Sequence, residues 1–196
     1  MRKAIPFVIL FSICNLVSLS MADDVSSSQD KISSEEYKVY SDAIPQLLGL
    51  PEAKGLFVIY DHTIIDSFDQ QSVAYFEKRS GIKLEKDMIE RFRAKNKMSY
   101  KLENNFISSL QVVLISEEEL NHIFKNGKGW DDFYKKYPHS YGIITLSRVA
   151  FNNDKNIAFL HFGNQRDWFA GIGYYVLLKK EDNRWVIVAK VITWIS

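Results

Sequence analysis

The histidines and the acidic residues beside them are the side chains of this sequence best suited to proton transfer. The four histidines are His62, His122, His139 and His161, and no two of them have the i, i+4 spacing of a helical metal site. Asp61 precedes His62 directly after a short apolar run, and a carboxylate beside an imidazole is a pairing used in general acid–base chemistry. A simple turn in which Asp61 binds backbone N–H groups is favoured, because no nucleophile is identifiable beside the pair. The sequence therefore predicts no metal and no cofactor, and the candidate acid–base residues are Asp61, His62 and His161.

A polar pocket within a β-sheet is a second chemical possibility. Arg148 and His161 each alternate with apolar residues, so both side chains are predicted to face the core, where they must be hydrogen-bonded or paired. Together with Tyr174 they could line a polar pocket on the concave face of the sheet. The alternative is a hydrogen-bonded core histidine and an arginine that reaches solvent at the sheet edge. A hydrolase would require Asp61 or His62 to converge with Arg148 and His161 in that pocket.

The segment 163–173 is the most informative candidate binding region. Trp168 and Phe169 lie in the middle of a loop predicted over 164–170, where large apolar side chains are costly to expose. The two rings either pack back over the end of the sheet, which is the commoner outcome, or form a recognition patch. The candidate binding residues are Arg148, Gln165, Arg166, Trp168, Phe169 and Tyr174. Amide groups beside aromatic rings suit a protein, peptide or glycan ligand.

The elements that must position these residues begin with helices. Ser33 and Glu36 form a capping box for a helix over 35–44, which Pro45 should kink or end. Apolar periodicity predicts the remaining helices and two short buried strands. The other predicted helices cover 68–97 with a break at 80–81, a short segment after the capping box of Ser116 and Glu119, and 130–137; the two strands cover 56–60 and 110–115.

The last third of the chain is rich in β-strand patterns. Strands are predicted over 142–151, 156–163, 171–180 and 185–195, and the short turns between them force antiparallel neighbours. The last strand carries apolar residues on both faces, which is typical of a central, covered strand or a strongly curved sheet. The predicted fold is α+β: a curved, C-terminal four-stranded antiparallel meander covered by the N-terminal helices. The two earlier strands could join this sheet.

The amino terminus has the pattern of a secretory signal peptide. Arg2 and Lys3 precede an apolar run over 4–19, and the small residues Ser20 and Ala22 suit cleavage after Ala22. The run is interrupted and too short for the roughly 20 apolar residues of a membrane span. We therefore expect an exported protein, periplasmic, at the cell surface or extracellular, with no transmembrane span after cleavage.

A lipoprotein signal acylated at Cys14 is an alternative, although Ile13 is large for the preceding position. The predicted organisation is a signal peptide at 1–22, a flexible leader at 23–34 and a single α+β domain at 35–196. Cleavage would remove the only cysteine, so no disulfide is expected.

The charge of the chain gives no reason to expect a polyanionic partner. Its 196 residues carry a formal charge of +1, which becomes −1 when the two basic residues of the signal peptide are lost. No basic stripe is present, and we therefore expect no binding to nucleic acid or to an anionic membrane surface.

Several motifs in residues 130–196 carry a family resemblance. They are W-x-x-F-Y-x-x-Y-P from Trp130, S-R-V-x-F-N from Ser147, G-N-Q from Gly163, G-x-G-Y-Y-V-L-L from Gly171, and the closing Trp185 and W-I-S. With Y-K-V-Y at 37–40, this pattern resembles an uncharacterised family of exported bacterial proteins. The resemblance implies export and no particular activity. Many relatives have cysteines at the positions of Arg166 and Ala170 and a glycine at that of Ala150, so this chain is not expected to use a loop cysteine in redox chemistry.

The sequence thus favours a non-catalytic envelope or secreted protein that binds a ligand or partner, with Trp168 and Phe169 at its binding surface. The alternative is a secreted hydrolase with a polar pocket on the concave face of the sheet. The second hypothesis predicts that Asp61 and His161 lie on the same side of the sheet.

Overall fold

A seven-stranded mixed β-sheet is the framework of this protein. The computed structural model describes residues 31–50, 54–107, 109–125 and 127–196. The helices are α1 (Ser34–Leu47), α2 (Gln70–Ser80), α3 (Lys86–Lys95), α4 (Glu117–Lys125) and α5 (Trp130–Lys136). The strands are β1 (Leu56–Tyr60), β2 (Gln111–Ile115), β3 (Ser140–Leu146), β4 (Ala150–Phe151), β5 (Ile157–Asp167), β6 (Ala170–Glu181) and β7 (Arg184–Ile195).

The predicted signal peptide, its cleavage site and the alternative acylation site at Cys14 lie outside the described residues. Among the helices that are described, none is long and apolar enough to cross a membrane. The compact unit begins at Ile32, whose side chain is buried, so the last residues of the predicted leader belong to the domain.

The strand order corrects the predicted sheet. The α+β class is confirmed, but the sheet runs β2-β1-β3-β5-β6-β7 with β4 beside β5, and it is not a four-stranded antiparallel meander. β1 pairs in parallel with both β2 and β3, whereas the remaining pairs are antiparallel. Parallel pairing needs a long crossover, and the helices α2–α3 and α4–α5 supply the two crossovers.

β7 is an edge strand, so of the two alternatives predicted for it, a central, covered strand or a strongly curved sheet, the first is wrong. Two register shifts against β6 change which face successive residues occupy. Trp185 packs in the cluster beneath α1, whereas Val191 packs in a cluster on the other face. These shifts explain why β7 has apolar residues on both faces. Its residues Val188 and Ile195 remain exposed.

Helices cover the two faces of the sheet differently. α1 packs over one face together with the inward residues of β1, β3, β5, β6 and β7. On the opposite face α2 and α3 cover β5 and β6, while α4 and α5 cover β1 and β3. Thr145, His161 and Gly163 lie on this second face between the two helical pairs, as strand alternation and pairing show.

The start of α1 confirms the predicted capping box. The Ser33 side chain accepts from the Glu36 N–H, and the Glu36 carboxylate accepts from the Ser33 N–H. α1 continues through Pro45 to Leu47, so of the kink or end predicted at Pro45, the end is wrong. A proline in the last turn removes a single intrahelical hydrogen bond, and the buried side chains of Ile44 and Leu47 hold this turn against the core.

The predicted loop over 164–170 is instead a hairpin. β5 continues to Asp167 and β6 begins at Ala170, with Asn164 paired to Ile172 and Gln165 to Gly171. Only Trp168 and Phe169 remain as the turn between the two strands. Polar side chains in this segment suggested a loop, but the backbone hydrogen bonds depend on strand register and not on side-chain polarity.

Candidate binding site at the hairpin tip

Trp168 and Phe169 project from the tip of the β5–β6 hairpin and do not pack back over the sheet. Phe169 is 89% exposed and Trp168 is 58% exposed. The Asp167 carboxylate accepts from the Trp168 N–H at 2.7 Å, which fixes the turn. Large rings that remain exposed on a rigid turn are a feature of recognition surfaces.

The half-buried edge of Trp168 packs on the α4–α5 connection. Its ring meets Phe124 edge-to-face, with centroids 5.7 Å apart and an interplanar angle of 89°. Gly129 lies beneath the indole with φ +66°, and a Cβ there would stand 2.7 Å from Trp168 Cζ2. A glycine at this position is therefore required both by the backbone and by the approach of the ring.

Two clefts flank the Trp168 ring. The first has a volume of about 400 Å³ and a mainly apolar wall, which includes Leu120, Phe124, Trp130, Ile143, Gln165 and Trp168. The second, of about 410 Å³, is more polar and is lined by Lys128, Trp130, Asp131, Tyr134, Asp167 and Trp168. We call the first of these the apolar cleft. Its volume falls within the range of sites that bind small molecules or single anchor side chains.

Contacts with α5 and with the C-terminus hold the hairpin in place. The Tyr134 hydroxyl donates to the Arg166 carbonyl at 2.7 Å, and burial raises the pKa of Tyr134, so the hydroxyl stays protonated. The Gln165 amide donates to the Asp167 carbonyl and to Ser196 Oγ. The tip is thus preorganised, which reduces the entropic cost of binding.

The six candidate binding residues fall into three places. Gln165, Trp168 and Phe169 lie at or beside the hairpin tip, and the first two line the apolar cleft. Arg166 and Tyr174 line another cleft that also includes Leu47 and Ser196. Arg148 lies elsewhere, in the interior.

Arg148 is held in a buried ion pair. Its side chain is 3% exposed, that of Glu36 is 1% exposed, and Arg148 Nε lies 2.8 Å from Glu36 Oε1. Lys95 Nζ lies 3.5 Å from the other carboxylate oxygen, and the guanidinium stacks over the Tyr100 ring. Burial opposes ionisation, but the hydrogen bond from Arg148 and the two cationic charges outweigh it and lower the pKa of Glu36. This group joins α1 to the sheet.

The candidate acid–base residues have separate hydrogen-bond partners. Asp61 Oδ1 lies 2.8 Å from His62 Nδ1, whereas His161 contacts Asp66 and Thr193. In the described part of the chain, no hydrogen bond or ion pair joins Asp61 or His62 to His161. His161 does face inward, as predicted, beside Phe159 and Ile157 of the same strand.

Tyr175, and not Tyr174, is the tyrosine beside His161. The two rings lie 4.7 Å apart, and neighbouring residues of a strand point to opposite faces, so Tyr174 belongs to the α1 side. Burial and the charge of Asp66 raise the pKa of Tyr175. Neither Asp66 nor Thr193 could be recognised as a site residue from the sequence. Asp66 belongs to no periodic pattern, and Thr193 looks like an ordinary strand residue.

The cleft walls from α4 and α5 were also missed as site residues. Phe124 and Trp130 were expected only as apolar positions of short helices, and their contact with Trp168 arises from the tertiary fold. Among the described residues, no group of three His, Cys, Asp or Glu side chains could hold a metal ion. Comparison of the chain with family models, with curated proteins and with solved structures gives no match, so the family resemblance stays a prediction.

Proposed function

We propose that this chain is an exported protein that binds a protein or peptide partner through the apolar cleft beside Trp168. The observation that carries the proposal is the pair of exposed rings, Trp168 and Phe169, on a hairpin tip fixed beside that cleft. The signal-peptide pattern at 1–22 supports the exported location.

The chemistry of the cleft favours an apolar anchor side chain. Aromatic and aliphatic side chains form most of its wall, and pockets of this kind hold the dominant residues of protein interfaces. Covering a large ring removes on the order of 150 Å² of apolar surface from water, which stabilises a complex by about 4 kcal/mol at 25 cal/mol per Å². Phe169, the next residue of the turn, is exposed and would extend the contact.

Polar groups at the rim would orient the partner. Asn121 and Lys125 line the apolar cleft from α4, and Gln165 lines it from β5. Amide and ammonium groups can hydrogen-bond the backbone of an extended peptide around its buried side chain. A glycan is disfavoured because the wall of this cleft offers few polar groups to satisfy a ring of hydroxyls.

A titration followed by ¹H–¹⁵N NMR tests the proposal with two probes. N-acetyl-phenylalaninamide represents an apolar side chain between peptide groups, and the disaccharide of N-acetylglucosamine represents a glycan. We expect the amino-acid amide to shift the Trp168 indole N–H saturably, and the disaccharide to leave it unchanged.

Two variants make the titration specific. Trp168→Ala should abolish the saturable shifts of the α4 and α5 amides, whereas Tyr75→Ala, which removes another exposed aromatic ring on α2, should retain them. Saturable binding that survives Trp168→Ala would contradict the proposal. A response to the disaccharide alone would also contradict it and would identify a glycan ligand instead.

A further inference from the structure

A chain of hydrogen bonds joins three side chains on the sheet face opposite α1. His161 Nδ1 lies 2.6 Å from Asp66 Oδ2, and His161 Nε2 lies 3.0 Å from Thr193 Oγ1. Asp66 comes from the segment after β1, His161 from β5 and Thr193 from β7. The order carboxylate–imidazole–hydroxyl is that of an acyl-transfer triad.

The hydrogen bonds around Asp66 determine where the protons lie. Asp66 Oδ1 accepts from the Phe68 N–H at 2.7 Å and from the Tyr175 hydroxyl at 3.1 Å. An ionised carboxylate only accepts hydrogen bonds, so the nitrogen facing Oδ2 must be the protonated Nδ1 of His161. In the neutral imidazole Nε2 then carries the lone pair, and the Thr193 hydroxyl donates to it.

The backbone around this triad is unusual at both ends. Phe68, two residues after Asp66, is fully buried with φ +38°, a left-handed conformation that a bulky residue rarely adopts. Thr193 lies at a register shift between β6 and β7. Strained residues and β-bulges are both concentrated at functional sites, where they direct particular side chains.

Two glycines make room beside the hydroxyl. A Cβ on Gly173 would stand 2.6 Å from Thr193 Oγ1 and 2.1 Å from Trp194 Nε1, so these two atoms lie close together over the glycine. A Cβ on Gly163 would stand 3.2 Å from Cζ2 of the same indole. Thr193 is half-buried and its neighbour Trp194 is 36% exposed, so this end of the triad lies near solvent.

We infer that Thr193, His161 and Asp66 form a catalytic triad that hydrolyses carboxylic esters with short acyl chains. Thr193 Oγ1 attacks the ester carbonyl carbon while its proton passes to His161 Nε2. The carbon–oxygen bond to the alcohol then breaks, and the departing oxygen takes that proton. Water gives a proton to Nε2 and attacks the acyl-threonine, which releases the carboxylic acid, and Thr193 regains its proton.

The surroundings assign supporting roles to two further residues. The Trp194 indole N–H and Thr193 Oγ1 both lie over Gly173, so the indole can donate to an oxyanion that develops beside the hydroxyl. Asp66 is a positioning residue, because within the triad it contacts the imidazole and not the hydroxyl, and it fixes the tautomer of that imidazole. The Trp194 ring forms an apolar wall for a short acyl chain.

The first test measures hydrolysis of 4-nitrophenyl acetate and butyrate by the full chain. Thr193→Val removes the hydroxyl and keeps the branched shape, and His161→Gln removes the base; each should lower kcat/KM at least about 100-fold. Thr193→Ser should retain turnover. His122→Gln is the matched control, because this exposed histidine on α4 could attack an activated ester without belonging to the triad.

Mass spectrometry after acid quench should place the acyl group on Thr193. Near-ultraviolet circular dichroism establishes that each variant is folded. Turnover that survives Thr193→Val in a folded protein would overturn the inference. So would wild-type turnover no faster than the buffer reaction with both esters.

A second test reads the tautomer directly and does not require turnover. In Asp66→Asn the Phe68 N–H still needs an acceptor, so the oxygen of the new amide must face it. The amide NH₂ group then faces His161 Nδ1, which can accept a hydrogen bond only if the ring proton moves to Nε2. The ¹⁵N shifts of His161 should therefore show Nε2 unprotonated in the wild type and protonated in the variant. A protonated Nε2 in the wild type would contradict the triad. The site shares no residue with the apolar cleft, so its failure leaves the binding proposal intact.

Discussion

Replacing Glu36 by glutamine should strongly destabilise this protein. The side chain is buried, and its two oxygens accept from several donors at once. One oxygen faces Arg148 Nε and the Val149 N–H; the other faces Arg148 Nη2, the Ser33 N–H and Lys95. Either orientation of the amide would set its NH₂ group against at least two donors.

The magnitude follows from the charge that remains. Arg148 cannot lose its proton, so Glu36→Gln removes the carboxylate charge that faces a buried guanidinium. Breaking a buried pair in this way costs about 3–5 kcal/mol, a large part of the roughly 5–15 kcal/mol that stabilises a domain. Adding Arg148→Met should recover part of the loss, because it removes the buried cation that had faced the Glu36 carboxylate.

Urea unfolding at neutral pH, followed by far-ultraviolet circular dichroism, measures this loss. Glu90→Gln is the control, since Glu90 forms an exposed pair with Lys86 on α3, and its removal should change the free energy of unfolding by less than about 0.5 kcal/mol. A cost below about 1 kcal/mol for Glu36→Gln would refute the claim that this pair joins α1 to the sheet.

The same residue predicts part of the pH dependence of stability. The pKa of Glu36 is lower in the folded chain than in the unfolded chain, so its contribution is fully present above the unfolded pKa. The contribution is lost as the pH falls through the folded pKa. Between these two values the wild type should lose stability with falling pH, and Glu36→Gln should show a shallower slope. Equal slopes would contradict this assignment.

Three further substitutions test the packing. Trp168→Ala should lower the free energy of unfolding by only about 1 kcal/mol, because the ring is more than half exposed; a loss above about 3 kcal/mol would make the ring part of the core. Gly142→Ala should cost at least about 2 kcal/mol in urea unfolding, since φ is +84° and the new Cβ would stand 2.2 Å from the Gln165 carbonyl oxygen. Trp185→Phe should cost about 1–2 kcal/mol, because the buried indole N–H donates to Glu35 at 2.9 Å; an unchanged thermal midpoint would contradict that role.

Local signals in the sequence were sufficient for most helices. The capping box of Ser33 and Glu36 lies within four residues, and the break between α2 and α3 coincides with Gly81 in a left-handed conformation at φ +73°. Such features depend on neighbouring residues alone, and the sequence contains all of them.

The sheet could not be predicted as fully, because strand order depends on distant segments. β1 lies between β2 and β3, which follow it by some 50 and 80 residues, and no local pattern encodes this pairing. The bulges of β7 placed Trp185 and Val191 on different faces, and this made an edge strand resemble a central one.

The candidate site residues were likewise predictable only where the signal lay in neighbouring residues. Trp168 and Phe169 were recognisable because two large rings occur together among polar residues. Phe124, whose ring meets Trp168, comes from a helix that reads as ordinary amphipathic sequence. Asp66 and Thr193 meet His161 only because the fold brings three distant segments to one face.

Intermolecular nuclear Overhauser contacts would test the binding proposal most directly. With N-acetyl-phenylalaninamide present, we expect contacts from its ring protons to those of Trp168 and Phe124, the two rings that meet at the wall of the apolar cleft. Contacts confined to Tyr75 or other exposed rings, with none to Trp168, would contradict the account.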